Sequence, residues 1–392
     1  MESHFFLHSI INKLNLKNKR IFLRVDLNVP IVDNKIVCDH KYTAVLPAIK
    51  LLLSKGAKII VATHIERPEK RKISAKTLLP LFTKYKTKFQ SDLDLAIEAS
   101  SKDDYEILLI ENLRFFMGEQ TESKDFAKKL AQLGDYYVND AFGVLHRKDT
   151  SVTLLPKLFG KEKSFLGPLV QHELERLNKL IHNPQRPYIF VIGGKKIHYK
   201  LPLIEKMLDK VDAILLCPAM SFTFAKKLGK NIGKSLVDDT LLPLIPTILK
   251  KAKKRGVTVV FPIDYQVAKD SFDGPVSYIK TDDIPNDYVG VSIGEKTEQL
   301  FSDEIKKGKT VFFNGAFGNF NNPETLHGMK KVFKAMEYAR IFSVIAGGDS
   351  VSYAYKLGIA KKIDHLSTGG GASLTYVSGG KLPGLDVFKS LD

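Results

Sequence analysis

An apolar run from Pro187 to Ile192 passes directly into Gly193-Gly194-Lys195-Lys196-Ile197-His198-Tyr199-Lys200, near the midpoint of the 392-residue chain. The run reads as a buried strand. Beyond it, Leu201, Ile204, Met207, Leu208 and Val211 recur at helical spacing across Leu201–Asp212. A strand, a glycine pair and a helix start point unpaired backbone N–H groups beyond the strand end, which favours an anion there. Lys196 and Lys200 are four residues apart and would project from one helical face. The helix dipole opposes cations at that end. Two of them suggest a polyanionic ligand such as a nucleotide phosphate chain. The plainer reading is a strand-to-helix turn with solvated lysines.

The same alternation fills the N-terminal half. Arg20–Val25, Ala57–Thr63, Glu106–Ile110 and Tyr136–Val138 read as strands, and Ala44–Lys55, Thr77–Tyr85 and Lys124–Leu133 as helices. This order implies a parallel sheet covered by helices on both faces, with ligands beyond the carboxyl ends of the strands. Arg24, Arg67, Arg114 and Arg147 all fall at such strand ends, with His64 and His146 beside them. Any one of these arginines alone reads as a surface ion pair. Together they predict a pocket for a small, doubly anionic molecule, because the guanidinium fork grips phosphate and carboxylate in two places. Strand alternation would put Arg24, Asp26 and Asn28 on one face.

The C-terminal half repeats the pattern. Ala213–Leu216, Val257–Phe261, Thr310–Phe313 and Phe342–Ile345 read as strands, with helices over Leu241–Arg255, Thr297–Lys307 and Gly328–Tyr338. Asn314-Gly315 and Gly347-Gly348-Asp349 each follow a strand, on the same edge as Gly193-Gly194. Three glycine loops on one edge predict a nucleotide floor. The expected fold is α/β, with two doubly wound parallel-sheet (Rossmann-like) domains joined by a hinge helix over Pro168–Asn183.

The net charge of +17 raises nucleic-acid binding as a possibility, but the lysines are spread along the whole chain. The short clusters Lys70-Arg71-Lys72 and Lys250-Lys251-Ala252-Lys253-Lys254-Arg255 stand in no RNA- or DNA-binding module. A basic surface that attracts anionic substrates is the better reading. The two cysteines, Cys38 and Cys217, form no metal-ligand pair and fit a reducing compartment. The N-terminus lacks a signal-peptide pattern, and no apolar run approaches the ~18 residues of a membrane span. A cytoplasmic protein without nucleic-acid or membrane partners is expected.

Arg24-Val25-Asp26-Leu27-Asn28-Val29-Pro30, Glu111-Asn112-Leu113-Arg114-Phe115, Asn139-Asp140-Ala141-Phe142-Gly143, Gly193-Gly194-Lys195-Lys196 with Lys200, Asn314-Gly315, Gly347-Gly348-Asp349-Ser350 and Ser367-Thr368-Gly369-Gly370-Gly371-Ala372-Ser373 stand in this order along the chain. Together they resemble the phosphoglycerate kinase family over essentially the whole length. The resemblance implies a 3-phosphoglycerate-binding domain over residues 1–167, a hinge over 168–185 and a nucleotide-binding domain over 186–382. It also implies that residues 383–392 return to the first domain. By position, Arg24, Asp26, Asn28, Lys41, His64, Arg67, Arg114, His146 and Arg147 would form the triose-acid site. Gly193, Gly194, Lys196, Lys200, Gly294, Asn314, Asn321, Gly347, Gly348, Asp349 and Ser350 would hold ATP or ADP, with Asp349 toward Mg²⁺. Lys200, Lys196, Lys41, Gly370 and Gly371 would act on the phosphoryl group in flight. The implied partners are small molecules, and the implied state is a monomer.

Several positions depart from the family pattern. Lys41 stands for an arginine, Tyr199 for an aspartate near the metal, and Asn321 for a glutamate at the ribose. Cys217-Pro218 replaces a glycine pair, Glu66 a glycine and Asp149 a histidine. The expected activity is reversible, Mg²⁺-dependent phosphoryl transfer between 1,3-bisphosphoglycerate and ADP in glycolysis. The alternative is a divergent relative with weak or no catalysis that binds a ligand or partner.

Overall fold

The computed structural model describes residues 5–69, 71–102, 104–338 and 341–391. Lys70 of the first basic cluster and Asp392 of the terminal segment lie outside them. The chain divides into two compact units, one running to Glu175 and resuming at Lys381, the other spanning Arg176–Gly380.

The first unit is built on six parallel strands: β1 (Arg20–Val25), β2 (Lys58–Ala62), β3 (Thr87–Gln90), β4 (Ile107–Ile110), β5 (Tyr136–Asp140) and β6 (Ser164–Leu166). Their order is β3-β4-β2-β1-β5-β6. The chain winds outward from β1 in one direction and resumes in the other at β5, so the order reverses between them. Leu23 of β1 stands opposite Val61 on one side and Val138 on the other. These residues and Leu109 are fully shielded, packed with Val45, Ile49 and Leu52 of helix α1 (His40–Ser54). Strands buried on both faces need near-continuous apolar runs, which is why these segments read clearly in the sequence.

The differences from expectation have local causes. Helix α1 starts at His40, ahead of the expected Ala44, because its first turn carries His40 and Lys41 toward polar partners and shows no apolar period. The expected helix over Thr77–Tyr85 is a 3-10 segment, Ala75–Phe82, interrupted by Pro80, which has no N–H to give. β3 and β6 carry no clear strand pattern in the sequence: one is half-buried and the other only three residues long. β1 ends at Val25, so Asp26 and Asn28 lie in the following loop and not on one strand face with Arg24.

In the second unit the main sheet contains β7 (Tyr188–Ile192), β8 (Ala213–Leu216), β9 (Thr258–Val260), β13 (Thr310–Asn314), β14 (Phe342–Ala346) and β15 (His365–Ser367). All are parallel, in the order β9-β8-β7-β13-β14-β15, and the winding reverses between β7 and β13. An antiparallel sheet of β10 (Tyr265–Lys269), β11 (Val276–Ile279) and β12 (Tyr288–Ile293) was not foreseen. β11 is only four residues long and none of them is fully buried, so it carries no core-strand pattern. Among the described residues no helix is long and apolar enough to cross a membrane.

Helix α2 (Pro168–Ile181) runs from the first unit into the second in sequence, and its start is tied to β5. Asp140 Oδ1 accepts from the Leu169 and Val170 amides at 2.8 and 3.2 Å. Oδ2 has no hydrogen-bond partner among the described residues. Burial pushes this carboxyl up to about 7. A folded-state value above the unfolded one means the native protein binds more protons between about pH 4 and 7, so this group's contribution to stability falls as pH rises through that window. Asp140→Ala, which removes the cap, should cost about 1–2 kcal/mol in urea unfolding. Asp140→Asn keeps the acceptor and should compare better with wild type at about pH 8 than at about pH 5.

Candidate active site

Both candidate sites grow from the points where the sheets reverse their winding, the position at which open α/β sheets leave a crevice. In the first unit, Arg24 is wholly buried at the end of β1. Its Nε donates to Ser151 Oγ at 2.9 Å, Nη1 to the Val25 carbonyl, and Nη2 lies 3.7 Å from Glu119 Oε1. Nη2 also stands 3.4 Å from His64 Nδ1. A guanidinium only donates, so Nδ1 accepts and the ring proton sits on Nε2, 3.9 Å from Asp26 Oδ1. Burial, aided by Arg24, Arg114 and Lys41, holds His64 well below its ordinary value against the pull of Asp26, so the ring is neutral near pH 7. Arg24 thus supports His64 from behind; its own donors are committed inside the unit.

Lys41 Nζ lies 2.8 Å from Asp26 Oδ2, and both residues are buried. Burial opposes the charge on Asp26, yet Lys41, His64 and the Asn28 amide together hold it well below the usual carboxylate range. Asn28 Oδ1 accepts from the Glu66 amide at 3.0 Å, and the Glu66 carbonyl accepts from Arg114 Nη1. Arg114 is buried, and its Nε and Nη2 have no hydrogen-bond partner among the described residues; Arg147 Nε is in the same condition. Burial and the neighbouring Arg147 lower Arg114 to about 10. Buried donors are normally satisfied, so unpaired guanidinium N–H groups mark a place where an anion would be held. Asp149 lies near enough for its charge to favour the charged form of Arg114. His146 is half-buried next to Arg147. Arg67 is exposed, and among the described residues no hydrogen bond or ion pair joins its side chain to the group.

In the second unit, helix α3 (Ile197–Met207) starts before the expected Leu201, with Lys196 as its N-cap. Lys200 therefore lies in its first turns. Lys200 Nζ donates to the carbonyls of Gly193, at 2.5 Å, and Asn314, at 3.2 Å. Burial lowers this ammonium to about 7, with Lys196 adding to the fall while Cys217 and Asp349 oppose it. Gly315 has φ +111, and a Cβ there would stand 2.4 Å from Lys200 Nζ, so only glycine fits. Asn314 Nδ2 donates to the Gly370 carbonyl at 2.9 Å, at the start of helix α5 (Gly370–Val377). A Cβ on Gly370 would lie 2.7 Å from the Gly347 Cα, so the third and fourth glycine loops touch. Cys217, buried at the end of β8, lies against Gly193: a Cβ on that glycine would be 2.8 Å from the Cys217 Cβ.

Helix α4 (Gly348–Lys356) carries Asp349 in its first turn, exposed. Ser350 Oγ is buried and without a hydrogen-bond partner among the described residues. Gly294 caps the helix Glu295–Lys307, and the Asn321 amide donates to Asn319 Oδ1 at 3.0 Å. No hydrogen bond among the described residues links either one to the Lys200 group. Three contacts had no sequence signal: Lys195 Nζ stands 4.5 Å from the Phe272 ring centroid, Asn319 Nδ2 lies 2.6 Å from Asp273 Oδ1, and the Tyr199 hydroxyl bonds the Gly371 carbonyl at 3.2 Å. Among the described residues no three His, Cys, Asp or Glu side chains group to hold a metal ion. A single carboxylate at Asp349 suits Mg²⁺ that keeps waters and arrives on nucleotide phosphates.

Lysines, glycine loops and helix starts on one sheet, with open guanidinium donors on another, define equipment for handling phosphorylated metabolites. A profile of the phosphoglycerate kinase family matches residues 11–380. The chain is 39% identical to the phosphoglycerate kinase of Finegoldia magna over 388 residues, 96% of this chain and 98% of that protein. It is 36% identical to that of Bdellovibrio bacteriovorus, covering 97% of each. The crystal structure of phosphoglycerate kinase from Pyrococcus horikoshii superposes with a TM-score of 0.84 at 28% identity, over 97% of this chain and 98% of that one. The enzyme from Coxiella burnetii does so at 0.77 and 29%, with the same coverage. The chain belongs to the phosphoglycerate kinase family.

Two measurements probe this geometry. Nucleotide phosphates should restore the proton to Lys200, so binding at about pH 8 should take up close to one proton, read by calorimetry in buffers of different ionisation enthalpy, and Lys200→Met should abolish the uptake. Glu66 has φ +50, a left-handed conformation. Glu66→Gly should therefore raise unfolding stability by about 1 kcal/mol, provided the amide and carbonyl bonds to Asn28 and Arg114 persist.

Proposed function

We propose that the protein transfers a phosphoryl group reversibly between 1,3-bisphosphoglycerate and ADP, giving 3-phosphoglycerate and ATP in glycolysis. The bond between the acyl carboxylate oxygen and phosphorus breaks as one forms to the terminal ADP oxygen. The carboxylate leaves already ionised, so no general base is required. Such transfers depend on alignment and on neutralising spread negative charge.

The triose acid would sit on Asp26, Asn28, Lys41, His64, Arg67, Arg114, His146 and Arg147. The nucleotide would lie along Gly193, Gly194, Gly294, Asn314, Asn321 and Gly347–Ser350. Lys196 and Lys200 would face its phosphates, and the amides at Gly370 and Gly371 the group in transit. Asp349, with the nucleotide phosphates, would hold Mg²⁺, which would supply neutralising positive charge there. Hinge bending over residues 168–185, a monomeric state and a cytoplasmic location belong to the same reading. The observation that carries it is the linkage at the second sheet's reversal: Lys200 rests on the Asn314 carbonyl while the Asn314 side chain holds Gly370.

A coupled assay for ATP-dependent phosphorylation of 3-phosphoglycerate tests the reading. Lys200→Ala should lower kcat by about 10²–10³-fold. Arg114→Ala should act mainly on the KM for 3-phosphoglycerate, by about 10²-fold. Wild-type protein that binds both ligands without turnover would overturn the proposal. Lys41 has one ammonium, and Asp26 holds it. Lys41→Arg should keep that pair and add free donors, raising kcat/KM; an unchanged or lower rate would show a site adapted around lysine.

A further inference from the structure

Tyr199 lies between the two phosphate lysines in sequence, yet its hydroxyl is engaged elsewhere. It stands 3.2 Å from the Gly371 carbonyl and within hydrogen-bonding reach of Thr375 Oγ1. Both partners are on helix α5: the single phenolic proton goes to the Gly371 carbonyl, so the Thr375 hydroxyl donates to the phenol oxygen. That helix opens on Gly369-Gly370-Gly371, three residues that lose the most backbone freedom on ordering and fray most readily. Its early amides have no intrahelical partner. Beyond the helix's own carbonyl bonds, contacts from outside it can fix their direction further.

Peptide planarity says what does. The carbonyl of one residue and the N–H of the next share a rigid plane and point in opposite directions. Asn314 Nδ2 on the Gly370 carbonyl therefore aims the Gly371 N–H. The Tyr199 hydroxyl on the Gly371 carbonyl aims the Ala372 N–H in the same way. Two consecutive amide vectors are thus reinforced by two side chains, one from β13 and one from α3. The tyrosine is also the immediate neighbour of Lys200, so the helix start that carries the ammonium is bonded to the helix start that carries the amides. An ionised aspartate, which the family pattern has at this position, only accepts and could not hold a carbonyl in this way.

We propose that Tyr199 is a positioning residue for the phosphoryl group in transit, acting through the Gly371 carbonyl and Thr375 to fix the amides at the start of α5 relative to Lys200. This rests on the reading that those amides and Lys200 share that group. It also accounts for a tyrosine among the lysines: the phenol is turned to α5 and supplies order.

Tyr199→Phe removes only the hydroxyl. In the full-length protein, kcat should fall about tenfold, because preorganised dipoles act on the transition state. Both KM values should stay within about twofold, since ground-state binding is untouched. Amide hydrogen exchange of ligand-free protein should quicken across residues 368–377 and stay unchanged in β1. Thr375→Val should give a smaller loss in the same direction, and the double variant should be no worse than Tyr199→Phe, because the two hydroxyls act as one unit. Unchanged kcat, a loss confined to KM, or unchanged exchange across 368–377 would overturn the proposal. Wild-type protein without turnover would instead sink the kinase reading, and exchange would then decide the α3–α5 link by itself.

Discussion

An ammonium group with nowhere else to go organises the second unit. Lys200 Nζ is lodged on the carbonyls of Gly193 and Asn314, at the ends of the two strands between which the winding reverses. The Asn314 carbonyl also accepts from the Gly193 amide at 3.1 Å. One oxygen therefore joins strand end, glycine turn and lysine. The arrangement is open to a stronger acceptor, because carbonyl oxygens compensate a buried cation less well than phosphate does. The glycines at 193 and 315 follow from it, since a side chain on either would collide with the other's carbonyl oxygen, and one at 315 with Lys200 as well.

The first unit solves a similar problem with a buried network. Arg24, Glu119 and Ser151 form an internal prop, and burial pushes Glu119 up to about 7 even beside the arginine. Such networks rarely gain net stability over apolar packing, but they fix direction. Here the direction given is that of the His64 ring, presented neutral with its proton on the side of Asp26. The cost of desolvating Arg24 supports geometry at the strand end, while Arg114 and Arg147 keep donors open.

What could be read from the sequence follows from what has a period or a name. Buried parallel strands such as Arg20–Val25 and Ala213–Leu216 declared their boundaries because both faces must be apolar. The glycine turns and strand-end arginines pointed to a candidate site, but of the four arginines only Arg114 and Arg147 keep open donors, while Arg24 is committed inside the unit and Arg67 stays exposed. The helix start at His40 was placed too late for the opposite reason: its first turn faces polar partners and breaks the apolar rhythm, as the turn from Ile197 does ahead of the apolar spacing at Leu201. The roles of Arg24 and Tyr199 were hidden because a side chain's partner distant in sequence leaves no local trace. Asp349 and Arg67 were named by position, and their exposure gives no contact that ties them to a ligand.

The contact between Gly193 and Cys217 bears on how this chain can change over generations. A methyl group added at position 193 would collide with the Cys217 Cβ and with the Gly315 carbonyl oxygen, at 2.8 and 2.7 Å. Cys217→Gly would relieve one collision but leave the other. The dependence therefore runs one way: Cys217 keeps its place only while 193 stays bare, whereas the Gly315 carbonyl closes 193 whatever stands at 217. A position whose neighbour has already spent the available space is closed to variation, whatever its direct part in chemistry.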